Sequence, residues 1–253
     1  MESSNRIRDG ASREISQRVT TFLSRAPETA RQFQLELNRG LLDAHDHLAL
    51  EAALFSLLLS NRDISELTFT YGEKTGFDAD GTVQLAATPR GQLSVVRSSS
   101  GRDEERWWSR HIKQEGGGFV SDLRELESSA RFSALPSHRE ARTDIPDPTA
   151  HPTFTTPAQW NFFGQLLWSD LHWSQLDAEL PPSQRRAEVS VQQAMTNADG
   201  EFVGVLRVGL LTQQLDRSVQ LRLATNGHND PHRIFICDAQ GRLITPLSLS
   251  DRL

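Results

Sequence analysis

The chain has 253 residues, enough for one large domain or two small ones, and its 27 Lys and Arg against 33 Asp and Glu leave a formal charge of −6. The basic residues are spread and not gathered into a stripe, which argues against a nucleic-acid partner. The one cysteine, Cys237, excludes an intrachain disulfide and a cysteine-based zinc site, and the longest apolar-rich run, Leu48 to Leu59, falls short of the ~20 residues that cross a bilayer.

Met1 to Ser16 is polar and charged, so the sequence as written carries no export signal. From Ile15 the spacing is helical through Val19, Phe22 and Leu23. Pro27 begins a new segment through Ala30, Phe33 and Leu37, which predicts two stacked helices or one broken one. Asp43 or Asp46 is placed to cap a further helix whose apolar side is Leu50, Ala53, Leu54, Leu57 and Leu58. Strand signals follow: Ile64 to Tyr71, Val83 to Ala87 and Leu93 to Arg97 read as a three-stranded meander. Arg106 to Gln114 and Ser121 to Arg131 read as short helices separated by Gly116-Gly117-Gly118. Leu135 to Pro157, rich in proline, reads as a long loop of the kind that carries binding residues.

An aromatic stretch, Trp160 to Trp173, leads to a strand hairpin from Glu188 to Leu211 that reverses at Asn197-Ala198-Asp199-Gly200. The same Asp/Asn-x-x-Gly punctuation recurs at Asp78 to Gly81 and Asp238 to Gly241, which fits an internal repeat of a small sheet module or simply the ease with which glycine takes positive φ. Leu211 to Leu223 reads as a connecting helix, and Arg233 to Cys237 with Leu243 to Pro246 as a last hairpin with nothing to cover its apolar face.

Candidate chemistry is sparse. Asp43-Ala44-His45-Asp46-His47 holds metal-ligand residue types, but positions two apart on a helix diverge, so a solvated helix start is the expectation. His138, His151 and His172 lack a chelating spacing, and Cys237 follows a packed-strand pattern with no base beside it. With no serine elbow and no phosphate-binding glycine loop, no catalytic residue, metal or cofactor is predicted. All five tryptophans fall in the middle of the chain, at positions 107, 108, 160, 168 and 173. They are either core or the walls of a ligand pocket.

The segment Asp147-Pro148-Thr149-Ala150-His151-Pro152-Thr153-Phe154, the strand and bend Leu167-Trp168-Ser169-Asp170, and Gly204-Val205-Leu206-Arg207-Val208-Gly209 together resemble the double Cache sensor region of bacterial transmembrane receptors. That family has a long N-terminal helix followed by two PAS-like modules and is found ahead of nucleotide cyclases, histidine kinases and related effectors. The resemblance implies an α+β fold: a helical stalk over 1–64, a distal PAS-like sensing module over 65–211, and a connecting helix with the truncated start of a proximal module over 212–253.

It also implies an extracytoplasmic, non-enzymatic input region whose membrane spans and effector lie outside the sequence, with an unidentified small-molecule ligand and a homodimer through the N-terminal helix. Where amino-acid-binding members carry Arg, Trp and Asp, this chain has His151, Thr153 and Gly209. An amino-acid ligand is therefore disfavoured. The expected ligand-binding residues are Trp107, Trp108, His151, Phe154, Trp168, Asp170, His172 and Trp173. The alternatives are a small soluble hydrolase using metal or His and Asp residues between Pro146 and Asp170, and an interaction domain whose aromatics are all core.

Overall fold

A computed structural model describes residues 2–99, 105–126, 140–169, 171–174, 181 and 185–212. They fall into two compact units, one of the described residues within 1–25, 170–189 and 210–212 and one of those within 26–169 and 190–209. The connecting helix and last hairpin expected beyond Thr212, Asp170 and His138 lie outside the described residues.

The first element, α1 (Glu2–Asn38), is a single helix that runs through Pro27, so the break expected there is absent. A proline costs the helix one backbone bond and a clash. In the second unit the turns that follow are held by a buried stripe of Ala26, Ala30, Phe33 and Leu37. Gly40, at φ 65°, ends the helical segment in the left-handed region. The next helix, α2 (His47–Ser60), is capped by Asp46, whose Oδ1 accepts from the amides of Leu48 at 3.1 Å and Ala49 at 3.0 Å.

The sheet of the second unit is built on β1 (Glu66–Phe77) and β2 (Val83–Ser99). What reads as two strands around Pro89 is one, paired antiparallel with β1 and irregular between Gly72 and Gly76. The two segments expected as helices are β3 (Glu105–Glu115) and β4 (Gly118–Leu126), paired residue for residue from Glu115↔Gly118 to Trp107↔Leu126. Gly116 and Gly117, at φ 59° and 87°, make the tight turn that suits a two-residue hairpin and not a helix stop. A further strand, β5 (Glu140–Ile145), lies inside the segment expected as loop and pairs with β4.

Beyond β5 come a 3-10 turn at Pro148–Ala150, the short α3 (Pro152–Thr155), and β6 (Leu167–Trp168). Last come β8 (Ala187–Thr196) and β9 (Phe202–Leu211), with β7 (His172–Trp173) before them. The order across the sheet is β5-β4-β3-β2-β1-β9-β8-β6. Both described Asx-Gly turns form as expected. Asp78 Oδ1 accepts from Thr82 N, Asn197 Oδ1 accepts from Asp199 N and Glu201 N, and Gly81 and Gly200 take φ 82° and 78°. In the first unit, β7 pairs with the start of β8 through His172↔Glu188 and Trp173↔Ala187.

Strand alternation gives the second unit's sheet two faces. Leu67, Phe69 and Tyr71 of β1 align with Val95, Leu93 and Gly91 of β2 and with Val208, Leu206 and Gly204 of β9. This face receives the helices, as the Phe33 and Phe69 rings, 5.6 Å apart, show. Arg97, buried on β2, ties the C-terminal end of α2 to it. Its guanidinium donates to the carbonyls of Leu58, Asn61 and Arg62, the last at 2.7 Å. On the other face, Val83, Phe154, Ala158, Ala194, Phe202 and Val205 form an apolar cluster. That cluster seats the segment around α3.

Candidate functional site

His47, Glu51 and Phe55 recur every fourth residue and so share one stripe of α2. Trp107, Ser109 and His111 recur every second residue and share one face of β3. Four residues of helix rise about 6 Å and two residues of strand about 6.6 Å, so the two series keep step along their length. Three rungs result. Phe55 meets the Trp107 ring edge-on at 6.2 Å, Ser109 Oγ donates to Glu51 Oε2 at 2.9 Å, and the His47 and His111 rings lie 4.9 Å apart. On β4, Arg124 and Asp122 stand opposite Ser109 and His111, and the Arg124 guanidinium donates to Glu51 Oε1.

Tyr71 reaches this row from β1 by crossing Gly91, its partner on β2. A methyl group at position 91 would sit inside contact distance of Tyr71 Oη and of the Ile112 carbonyl. Only a glycine leaves that passage open. The Tyr71 hydroxyl and His111 Nε2 share a 2.9 Å hydrogen bond, and the His47 ring packs on Tyr71 at 4.8 Å.

Between the N-terminal turn of α2 and strands β2, β3 and β4 is a cavity of about 280 Å³. Its polar lining is His47, Glu51, Ser109, His111, Asp122 and Arg124, and the exposed Leu48 marks its rim. Burial drives the protonation states here. It holds His111 down at about 4, helped by His47 and Lys113 and opposed by Glu51 and Asp122. Burial and then His45 hold His47 below its usual value against Asp46, and burial raises the Tyr71 hydroxyl to about 12. At neutral pH both imidazoles are uncharged and the phenol keeps its proton. His47 Nδ1 is buried with no hydrogen-bond partner among the described residues.

The solvated helix start expected for His47 is therefore half-buried instead, while His45 is exposed. Among the described residues no group of three or more His, Cys, Asp or Glu is placed to hold a metal ion.

The opposite face of the sheet carries a polar row. Glu66 Oε1 accepts from Thr68 Oγ1 at 2.6 Å and from Arg207 Nη2, with both charged side chains nearly inaccessible. Gln92 Nε2 donates to Thr70 Oγ1 at 2.8 Å, and Arg110 Nε to Ser121 Oγ at 2.9 Å.

The residues singled out from sequence are dispersed. Trp107 faces α2 while Trp108, its neighbour on β3, faces the other way. His151 is exposed and caps α3, its Nδ1 accepting from Thr153 N at 3.3 Å. Phe154 is 2% exposed and meets Phe202 at 6.0 Å. Trp168 on β6 is 47% exposed. In the first unit, His172 Nε2 lies 3.5 Å from Glu188 Oε1 and Trp173 is 37% exposed. None of these lines the cavity. The residues that do were missed because reading β3 and β4 as helices scatters Ser109, His111, Asp122 and Arg124 around two axes. Strand alternation through 107, 109 and 111 was the signal that could have found them.

No family model matches the chain, and no curated protein matches its sequence. Solved structures do. The extracellular domain of a protein assigned as a histidine kinase aligns with 97% of this chain at a TM-score of 0.53 and 13% identity. The alignment takes in 72% of that domain. A methyl-accepting chemotaxis protein aligns with 85% at TM-score 0.43 and 11% identity, over 66% of its own length. The ligand-binding domain of the Pseudomonas aeruginosa PAO1 amino-acid chemoreceptor PctC, in complex with GABA, aligns with 89% at TM-score 0.41 and 11% identity, over 67% of its length. The first of these establishes the fold. The chain has an α+β architecture, a long helix followed by a large antiparallel sheet of the PAS-like kind.

Proposed function

We propose that this chain is the ligand-sensing extracytoplasmic input region of a bacterial transmembrane signal-transduction receptor, and that it acts by binding a small molecule, not by catalysis. The observation that carries the reading is the fold shared over 97% of the chain with the extracellular domain of an assigned histidine kinase. The fold alone does not dictate a function. Two features of the second unit support sensing: a cavity with converging polar groups, and a helix, α2, that forms one wall of it. A ligand that binds two arrangements of that helix with different affinity would shift the balance between them, which is the minimum a sensor needs. No helix among the described residues is long and apolar enough to cross a membrane, so the spans and the effector belong to this reading as separate segments.

Within this reading the second unit offers two places for a ligand, the cavity and the loop side near Trp168. Pairing of two copies through the N-terminal helix, where Leu35 is 51% exposed, is the proposed oligomeric contact. The test is a thermal-shift and calorimetric screen of the purified chain against amino acids, organic acids, amines, purines and divalent metals. Saturable stabilisation by one small-molecule class at one site per chain is expected. Stabilisation by divalent metal alone, with hydrolytic turnover, would replace the reading with the hydrolase. Silence across all classes would replace it with an interaction domain.

A further inference from the structure

The two ends of α2 are held to the sheet in different ways. At the C-terminal end the buried Arg97 donates to the carbonyls of Leu58, Asn61 and Arg62, and in the middle Glu51 accepts from Ser109 and Arg124. At the N-terminal end the contact is a cluster of rings. His47 packs on Tyr71 at 4.8 Å and on His111 at 4.9 Å, and the Tyr71 hydroxyl shares a 2.9 Å hydrogen bond with His111 Nε2. Two of these three rings can take a proton near neutral pH, one on the helix and one on the sheet.

The cluster suits only the uncharged imidazoles. An imidazolium carries N–H on both nitrogens whichever tautomer preceded it, and His47 Nδ1 is buried with no hydrogen-bond partner among the described residues. His47 is also the first residue of α2, where the helix dipole presents its positive end. A second cation on β3, with its ring centre 4.9 Å away, adds repulsion in a poorly screened space. His45, just before α2, and Lys113 on β3 reinforce this, while Asp46, Glu51 and Asp122 oppose it. Asp46 is engaged by the amides of Leu48 and Ala49, and Glu51 by Ser109 and Arg124. From β1 the pair meets the protonated Tyr71 hydroxyl, and the β2 residues beside it, Leu93 and Gly91, carry no charge.

We propose that His47 and His111 form an acid-released clasp on α2: when they take protons, the first turn of the helix lifts off the sheet about the Glu51 contact and that wall of the cavity opens. Leu50, fully buried in the same turn, keeps the closed form favoured at neutral pH, so the opening is an equilibrium and not a detachment. In the open form both imidazoles meet water and protonate near the ordinary value of 6.5. In the closed form both are held lower, His111 at about 4. Protons therefore bind the open form first, and its share rises as pH falls below 6.5. The inference stands on the clasp and does not need the receptor reading, under which acid becomes a regulator of the same cavity.

The experiment is amide hydrogen exchange of the whole chain at pH 7.5 and pH 5.0, corrected for the pH dependence of intrinsic exchange, with no ligand added. The amide of Leu50, bonded to the Asp46 carbonyl at 2.8 Å, reports the first turn, and the amide of Asn61, bonded to the Leu57 carbonyl at 3.2 Å, reports the end held by Arg97. The opening constant at Leu50 should rise about 10-fold or more at pH 5.0 while that at Asn61 changes less than about 3-fold. His47→Phe keeps a ring against Tyr71, and His111→Gln keeps a partner for its hydroxyl; each should remove most of the rise. A rise that survives both substitutions puts the proton elsewhere, on the Asp46 cap for one, and overturns the proposal. So does a rise shared equally by Leu50 and Asn61, which is acid unfolding of the whole helix, or no rise at all, and these two are read on the natural chain without either variant. With no ligand present, each such failure leaves the receptor reading in place.

Discussion

Acid should destabilise this protein through His111 more than through any exposed histidine. In the folded chain the imidazole resists protonation until about pH 4, because burial between α2 and β4 penalises the cation and His47 and Lys113 add to the penalty. In the unfolded chain it protonates near its ordinary value of 6.5. The unfolded state therefore binds the extra proton first, and stability is full above pH 6.5 and is lost progressively as pH falls towards 4. The full difference is worth roughly 3 kcal/mol at most, and partial contact with solvent brings the expected loss at pH 4.5 to about 2 kcal/mol. His47 shifts in the same direction and deepens the loss.

The assay is urea unfolding at pH 7.5 and pH 4.5 of the natural chain and of His111→Gln, which keeps a partner for the Tyr71 hydroxyl. The natural chain should lose about 2 kcal/mol more than the variant across that interval. Equal losses, or a His111 imidazole signal that titrates near pH 6.5 in the folded protein, would refute the reasoning.

Three further outcomes follow from the same structure. Tyr71 is the only tyrosine in the chain, so tyrosinate absorbance reports it alone. It should titrate near pH 12 when folded and near 10 in denaturant, with stability falling as pH rises from 10 towards 12, and Gly91→Ala should lower the folded value by forcing the ring out of its passage. Arg97→Met removes the donor shared by three carbonyls at the end of α2 and should cost about 2–4 kcal/mol in urea unfolding, with a steeper loss of helical circular dichroism than of sheet signal. Pro27→Ala restores a helix donor in the middle of α1 and should raise stability by about 1–3 kcal/mol, and a fall in melting temperature would show that the proline is needed where it stands.

The sequence by itself determined several features set by short-range chemistry. Asp46 announces the start of α2 because a carboxylate can satisfy two free amides there, and Asp78 to Gly81 and Asn197 to Gly200 announce their turns because Asx side chains and positive-φ glycines form them without tertiary help. The β8–β9 hairpin follows from its alternation and its turn. Tertiary structure decided the rest. β3, with its charges and two tryptophans, and β4, with its charges and scattered apolar residues, are short enough at nine to eleven residues to be read as helix or strand, and pairing with β2 and β5 chose the strand. Pro27 reads as a break, yet a buried stripe from Ala26 to Leu37 holds the helix through it. The cavity belongs wholly to this second kind. His47, His111 and Asp122 line it from three elements, and they meet only because α2 lies along β3 in step, while Tyr71 joins His111 from a fourth because Gly91 lets a phenol cross a strand. No local pattern encodes a coincidence between a helix rise and a strand rise, so it can be seen only after the sheet is built.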